Sequence, residues 1–193
     1  FPNDISREEA RRQLNLSQDA FVYLYFGNAR TYKGIEDLIE AFRRVAADDD
    51  RLVLMMRRAF NAEYADQVTA QAGKDARIGV HTSPFFGNEE FQVYLNACDV
   101  TVFPFSDVLT SGSAIAALSF GKPLIAPKLG CLTELLDDTT GILYEPKDEG
   151  ALDEALLQAR RIDLAEAGSA ARRRALSLDW DEIAAQVAEL YAG

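Results

Sequence analysis

Apolar positions along this chain fall into two alternating rhythms. Short, largely apolar runs recur at residues 21–27 (FVYLYFG), 52–56 (LVLMM), 77–80 (RIGV), 99–104 (DVTVFP), 123–126 (PLIA) and 141–144 (GILY). Runs of that length and composition read as strands buried on both faces. Between them the spacing turns helical. Residues 34–47 carry Ile35, Leu38, Ile39, Phe42 and Val45 on one stripe. Residues 61–73 end at Gly73, and residues 88–98 place Phe91, Tyr94 and Leu95 on one face. Residues 111–120 form an apolar helix stopped by Gly121, and a short helix is expected near residues 133–136. A capping-box pattern at Ser6 to Glu9 predicts a first helix running to about Leu14. After the sixth strand the pattern is helical over 148–161, 163–176 and 180–191, the last opened by Asp179.

Strand alternating with helix, with doubly buried strands, predicts an α/β fold. It is a Rossmann-like, doubly wound parallel sheet of about six strands, with helices on both faces and a C-terminal helical extension. No Gly/Ser/Pro-rich linker and no internal repeat interrupts it, so residues 1–193 read as a single domain. The opening Phe1-Pro2-Asn3-Asp4 has the look of the interior of a longer protein.

Composition narrows the functional classes. Lys plus Arg number 20 and Asp plus Glu 31, so the net charge is −11. That balance argues against a nucleic-acid partner, which needs a basic face. It still permits a small anion held by a few placed cations. The two cysteines, Cys98 and Cys131, are too few for a disulfide scaffold and are expected to be reduced and near the core. With one histidine, His81, a zinc site is not expected, nor is a serine hydrolase, since no G-x-S-x-G elbow is present. No apolar run approaches a membrane span, and the reading is a soluble, cytoplasmic protein.

In a doubly wound sheet, ligands sit beyond the carboxyl ends of the strands. The residues to question are therefore 27–33, 57–60, 81–88, 105–113 and 127–134. The first strand is not followed by G-x-G-x-x-G, and Gly121-Lys122 leads through Pro123 into a strand and not a P-loop helix. Two features remain. Thr110-Ser111-Gly112-Ser113 opens an apolar helix, where free N–H groups and the helix dipole favour an anion and Gly112 lets it approach the backbone. A helix N-cap alone would also place serine there. Arg30 and Lys33 follow the first strand, and with the Ser-Gly-Ser start they would clamp a diphosphate from two sides.

These residues carry a resemblance. GNARTYKGIEDLIEAF (27–42), NEEFQVYLNACDVTVFPF (88–105), SGSAIAALSFGKPLIAPKLGCLTELL (111–136) and GILYEPKDEGALDEAL (141–156) come in order and spacing. They are similar to the C-terminal, nucleotide-sugar-binding domain of a GT-B-fold glycosyltransferase of the family-4 (group 1) type. The resemblance covers nearly the whole chain and is most specific from Asp99 to Glu134. It implies a hexosyltransferase of glycan biosynthesis that moves a sugar from a nucleotide diphosphate sugar, of UDP or GDP type, to an acceptor. It implies retention at the sugar carbon, no metal and no separate cofactor. Lys33-Gly34 matches the family's loop after the first strand, so Lys33 and Arg30 are expected to hold the diphosphate and stabilise it as it leaves, above Gly27 and Asn28. His81, Thr82 or Phe85, in the loop after the third strand, is expected to line the base pocket, with Arg57 or Arg58 reaching the nucleotide and Asp107 the sugar.

The chain departs from the family at the E-x7-E positions, where Val108 and Ala116 stand in place of carboxylates that face the sugar and ribose; a Ser-Gly-Ser helix start stands instead. The resemblance also implies a partner: an N-terminal, acceptor-binding domain that this sequence lacks, and that is often the membrane contact. Without it this fragment is expected to transfer no sugar. The last helix, with Ile183, Val187, Leu190 and Tyr191 near Trp180, is a candidate dimer surface. The alternatives are a non-catalytic nucleotide-sugar-binding module of the same fold and an unrelated doubly wound enzyme acting on sugar phosphates.

Overall fold

The computed structural model describes residues 1–178, 184 and 187–191. Helix α1 (Arg7–Gln13) leads into strand β1 (Phe21–Asn28), helix α2 (Ile35–Val45), β2 (Asp50–Arg57), α3 (Ala62–Ala72), β3 (Ile78–Ser83) and α4 (Asn88–Ala97). The second half runs β4 (Val100–Val102), α5 (Gly112–Ser119), β5 (Leu124–Pro127), α6 (Leu132–Leu135), β6 (Gly141–Tyr144), α7 (Ala151–Ala159) and α8 (Leu164–Leu176). The strands form one parallel sheet in the order β3-β2-β1-β4-β5-β6. Helix α2 packs with α3 and α7, α1 with α4, and α5 with α8, so both faces are covered.

The six expected strands and their parallel pairing are as the apolar pattern predicts. Central strands are buried on both faces: Val22 to Phe26 in β1 and Leu52 to Met56 in β2 are all buried. Two boundaries differ. Strand β3 runs on to Ser83, because its register against β2 continues through Met55–His81 and Met56–Thr82 to Arg57–Ser83. As an outer strand it is only partly covered, so its sequence lacks the apolar run that marks the inner strands. Strand β4 ends at Val102, two residues before Pro104, which has no N–H for the ladder. The expected helix over 180–191 falls in part outside the described residues, including Trp180 and Ile183. Val187, Leu190 and Tyr191 are helical and exposed.

Close backbone approach fixes the loops above the sheet. Gly34 ends a 3-10 turn at φ +64°, and a Cβ there would lie 1.9 Å from the Pro104 carbonyl oxygen. Only glycine fits that conformation and that gap. Ser106 N–H donates to the Tyr32 carbonyl at 2.9 Å, so the loop after β1 lies stitched to the loop after β4.

One buried charge cluster, not legible in the apolar pattern, fastens α1 to the sheet. Arg11 is fully buried and donates to the carbonyls of Ser17, Gln18, Ala20 and Ala97 and to Asp99 Oδ2 at 2.8 Å. Asp99 also accepts from the Val22 N–H at 2.7 Å. Removing Arg11 takes away the side-chain donors of four backbone carbonyls and one buried partner of Asp99. We expect Arg11→Met to cost ~3–5 kcal/mol of stability. The check is a urea titration, in which the midpoint falls while cooperativity is kept. Gly34→Ala should also destabilise the fold, by ~2 kcal/mol or more, through clash and backbone conformation together.

Candidate functional site

Strand order reverses at β1. The chain leaves β1 toward β2 and β3 on one side, and enters β4, β5 and β6 on the other. No crossover covers the carboxyl end at that point, and a crevice forms there. It is a cleft of about 420 Å³. Its floor is Phe26, Gly27 and Asn28 of β1 with Met55 and Arg57 of β2. Its walls are Tyr32 and Lys33, the start of α5 with Gly112, Ser113 and Ala116, and an aromatic side made by Phe1, Phe85, Phe86 and Phe91 with Asn88.

Each polar wall follows from local structure. Ser111 is buried and caps α5, its Oγ accepting from the Ala114 N–H at 3.2 Å. The capping reading of Ser111 therefore holds. It leaves the N–H groups of Gly112 and Ser113 without a partner among the described residues, and both residues line the cleft. A Cβ on Gly112 would meet nothing within 4 Å, so this helix start is open on that side. Free N–H groups at a helix start carry partial positive charge.

Lys33 faces the same space. Its Nζ lies 3.8 Å from the centroid of the Phe105 ring. Burial, with the neighbouring Arg30 adding repulsion, holds its pKa below the ordinary lysine value. No acid pairs with Lys33, Arg30 or Arg57 among the described residues, although acids outnumber bases by 31 to 20 in this chain. Among the described residues no carboxylate lines the cleft. The site is a patch of unpaired positive charge in an acidic protein.

Seven of the sequence candidates meet in this cleft: Gly27, Asn28, Lys33, Arg57, Phe85, Gly112 and Ser113. Asp107 and Thr110 line an adjoining depression of about 280 Å³ with Val108, and Tyr32 and Lys33 border both spaces. Arg30 stands outside the lining, over the Phe60 ring at 4.8 Å. His81 and Thr82 belong to β3 and not to the loop after it. His81 packs edge-on against Tyr94 at 5.2 Å, and burial holds its pKa below the ordinary histidine value. Thr82 points the opposite way on the pleat. Of the aromatic pair, Phe86 is buried and Phe85 is 64% exposed. Of the two arginines after β2, Arg58 is bound to Asp66 at 2.9 and 3.1 Å. Tyr32 and Asn88 lie in the questioned stretches 27–33 and 81–88 but were not singled out, while Phe1, Met55 and Phe91, which also line the cleft, lie outside those stretches. Among the described residues no group of three or more His, Cys, Asp or Glu is placed to hold a metal, and no helix is long and apolar enough to cross a membrane.

A doubly wound sheet with an anion-ready crevice at its reversal point is the architecture of one half of a GT-B glycosyltransferase. The chain belongs to the group 1 glycosyl transferases, whose family model matches residues 20–161. It is 30% identical over 201 residues to the D-inositol 3-phosphate glycosyltransferase of Xylanimonas cellulosilytica, covering 99% of this chain and 47% of that protein. The chain spans about half the length of the curated relatives it matches. Among solved structures it superposes on Anabaena Alr3699/HepE, a complex with UDP and glucose, with a TM-score of 0.80. Identity there is 22%, over 97% of this chain and 52% of that one. The C-terminal domain of a group 1 glycosyl transferase, LpcC from Francisella tularensis, matches over 92% of this chain and 94% of that one. Its TM-score is 0.72 and its identity 19%.

The lowered Lys33 pKa has a readable consequence. Pyrophosphate affinity of this chain, measured by calorimetry across the alkaline range, should fall as Lys33 loses its proton, at a pH below that of an ordinary lysine. Lys33→Arg should remove that early fall, because a guanidinium stays charged there. Identical profiles for the two proteins would place the anion elsewhere.

Proposed function

We propose that this chain is the donor-binding half of a sugar-transferring enzyme and holds a nucleotide diphosphate sugar. The carrying observation is the convergence of Lys33 with the free N–H groups of Gly112 and Ser113 on one carboxylate-free cleft. In this reading the diphosphate lies between them, over Gly27 and Asn28. The aromatic side accepts the nucleoside, and the sugar points toward the depression of Asp107 and Thr110. The glycosyltransferase family and the UDP and glucose of the Anabaena structure support the ligand class.

The proposed chemistry follows from charge. As the glycosidic bond to the donor breaks, negative charge builds on the leaving diphosphate. Lys33 and the α5 N-terminus stand fixed where that charge develops, so they stabilise the transition state more than the ground state. Arg30 adds to the local potential from the rim. Retention at the sugar carbon is proposed on the group 1 resemblance alone. The acceptor is proposed to come from the other half of a two-domain enzyme, so this chain alone should bind donor and transfer nothing.

A second reading has one observation in its favour. Val108 and Ala116 bring no carboxylate to the positions where the group usually carries Glu, which fits a binding module without catalysis. Calorimetry of this chain with nucleoside diphosphates and monophosphates separates binding from its absence. A diphosphate should bind more tightly than its monophosphate, and Lys33→Ala should weaken it by about tenfold or more, the scale of a lost charge-assisted contact. No binding at millimolar ligand, or no effect of Lys33→Ala, contradicts the donor site. Sugar transfer by the two-domain protein then decides between enzyme and module.

A further inference from the structure

Arg57 ends β2 at the lip of the cleft, paired across the sheet with Asn28 on one side and Ser83 on the other. Its backbone is well held, with its carbonyl accepting from the Ala29 N–H at 3.1 Å. Its side chain is not. The Nε is buried with no hydrogen-bond partner, and the guanidinium makes no ion pair with any described residue. Its neighbour Arg58, by contrast, is satisfied by both oxygens of Asp66. A buried donor left unpaired is costly, and native proteins rarely keep one without a use.

Aromatic rings hold this guanidinium instead. It lies 5.7 Å from the Phe60 centroid and 5.6 Å from that of Phe85, and both rings are well exposed. A ring beside a guanidinium takes up none of its N–H groups as a carboxylate would, so they remain available to a ligand. Around it the cleft is apolar, with Met55, Phe86 and Phe91. The result is a donor-only fork beside exposed aromatic surface, one strand outward from the diphosphate position.

This inference rests on the donor reading above. With the diphosphate between Lys33 and α5, the base extends toward β2 and β3 and meets that fork. Guanine offers it two adjacent acceptors, O6 and N7. Cytosine, free of a pairing partner, also sets two acceptors side by side, O2 and N3. Adenine sets an amine donor beside N7, and uracil separates O2 from O4 by the N3–H donor. We infer that the cleft selects a nucleotide whose base sets two acceptors side by side, guanine or cytosine, and that Arg57 is the residue that reads the base.

The test is calorimetry of this chain with GDP, UDP, ADP and CDP, with pyrophosphate as the base-free probe. GDP and CDP should bind about tenfold or more tightly than ADP and UDP, the discrimination expected of one bidentate contact. Arg57→Met and Arg57→Lys should bring GDP to within roughly twofold of UDP, because neither side chain presents a fork. Lys33→Ala should weaken all four and keep their order. A melting temperature for Arg57→Met at or above the parent's shows that the fold is intact, since the unpaired Nε is gone. A preference for another base, or none, overturns the inference while leaving the donor site standing. A loss in Arg57→Met that is equal for pyrophosphate and GDP makes Arg57 a phosphate ligand and overturns it too. No binding of any diphosphate overturns the donor reading, and this inference with it.

Discussion

The contact between Gly34 and the Pro104 carbonyl is the constraint on which the cleft depends. A missing side chain at Gly34 lets the loop after β1 lie directly on the loop after β4, across the line where strand order reverses. The same type of approach recurs where Gly130, at φ +49°, lies under the Val108 carbonyl, so the loop after β5 is held to the loop after β4. These contacts set where Lys33 stands relative to α5. In the proposed donor site neither the lysine nor the helix start suffices alone, and the packing of the two loops brings both to one cleft.

Electrostatics then explain why the site stays ready. Most basic side chains that the structure pairs are paired far from the cleft, as with Arg160 on Asp49 and Asp50, or Arg44 on Asp153. At the cleft, cations are supported by rings: Lys33 by Phe105, Arg30 by Phe60, and Arg57 by Phe60 and Phe85. An aromatic face steadies a cation without neutralising it, so the charge remains for a ligand. The net charge of −11 over the whole chain gives no general attraction to polyanions.

The sheet was legible because inner strands must be apolar on both faces, and FVYLYF and LVLMM say so directly. The helices were legible from their stripes. The edge was not. His81 and Thr82 continue β3, but a half-exposed outer strand does not repeat the inner pattern, so they read as loop and were expected in the base pocket. Arg11 was invisible for the opposite reason, since no pattern of apolar spacing announces a buried arginine whose partners are backbone carbonyls. That Lys33, Gly112 and Ser113 would share a cleft was legible from their positions at strand and helix ends. The role of Ser111 as a cap, the outward place of Arg30 and the stacking of Arg57 needed the three-dimensional arrangement, because each depends on a residue remote in sequence.

Backbone amide NMR of this chain during titration with a nucleoside diphosphate tests most directly whether one anion site forms where the β1 loop meets the start of α5. The largest shifts are expected at Gly27, Lys33, Gly112 and Ser113, saturating together. Shifts centred on the opposite end of the sheet, near Asp50 and Arg160, or none at saturating ligand, would contradict it.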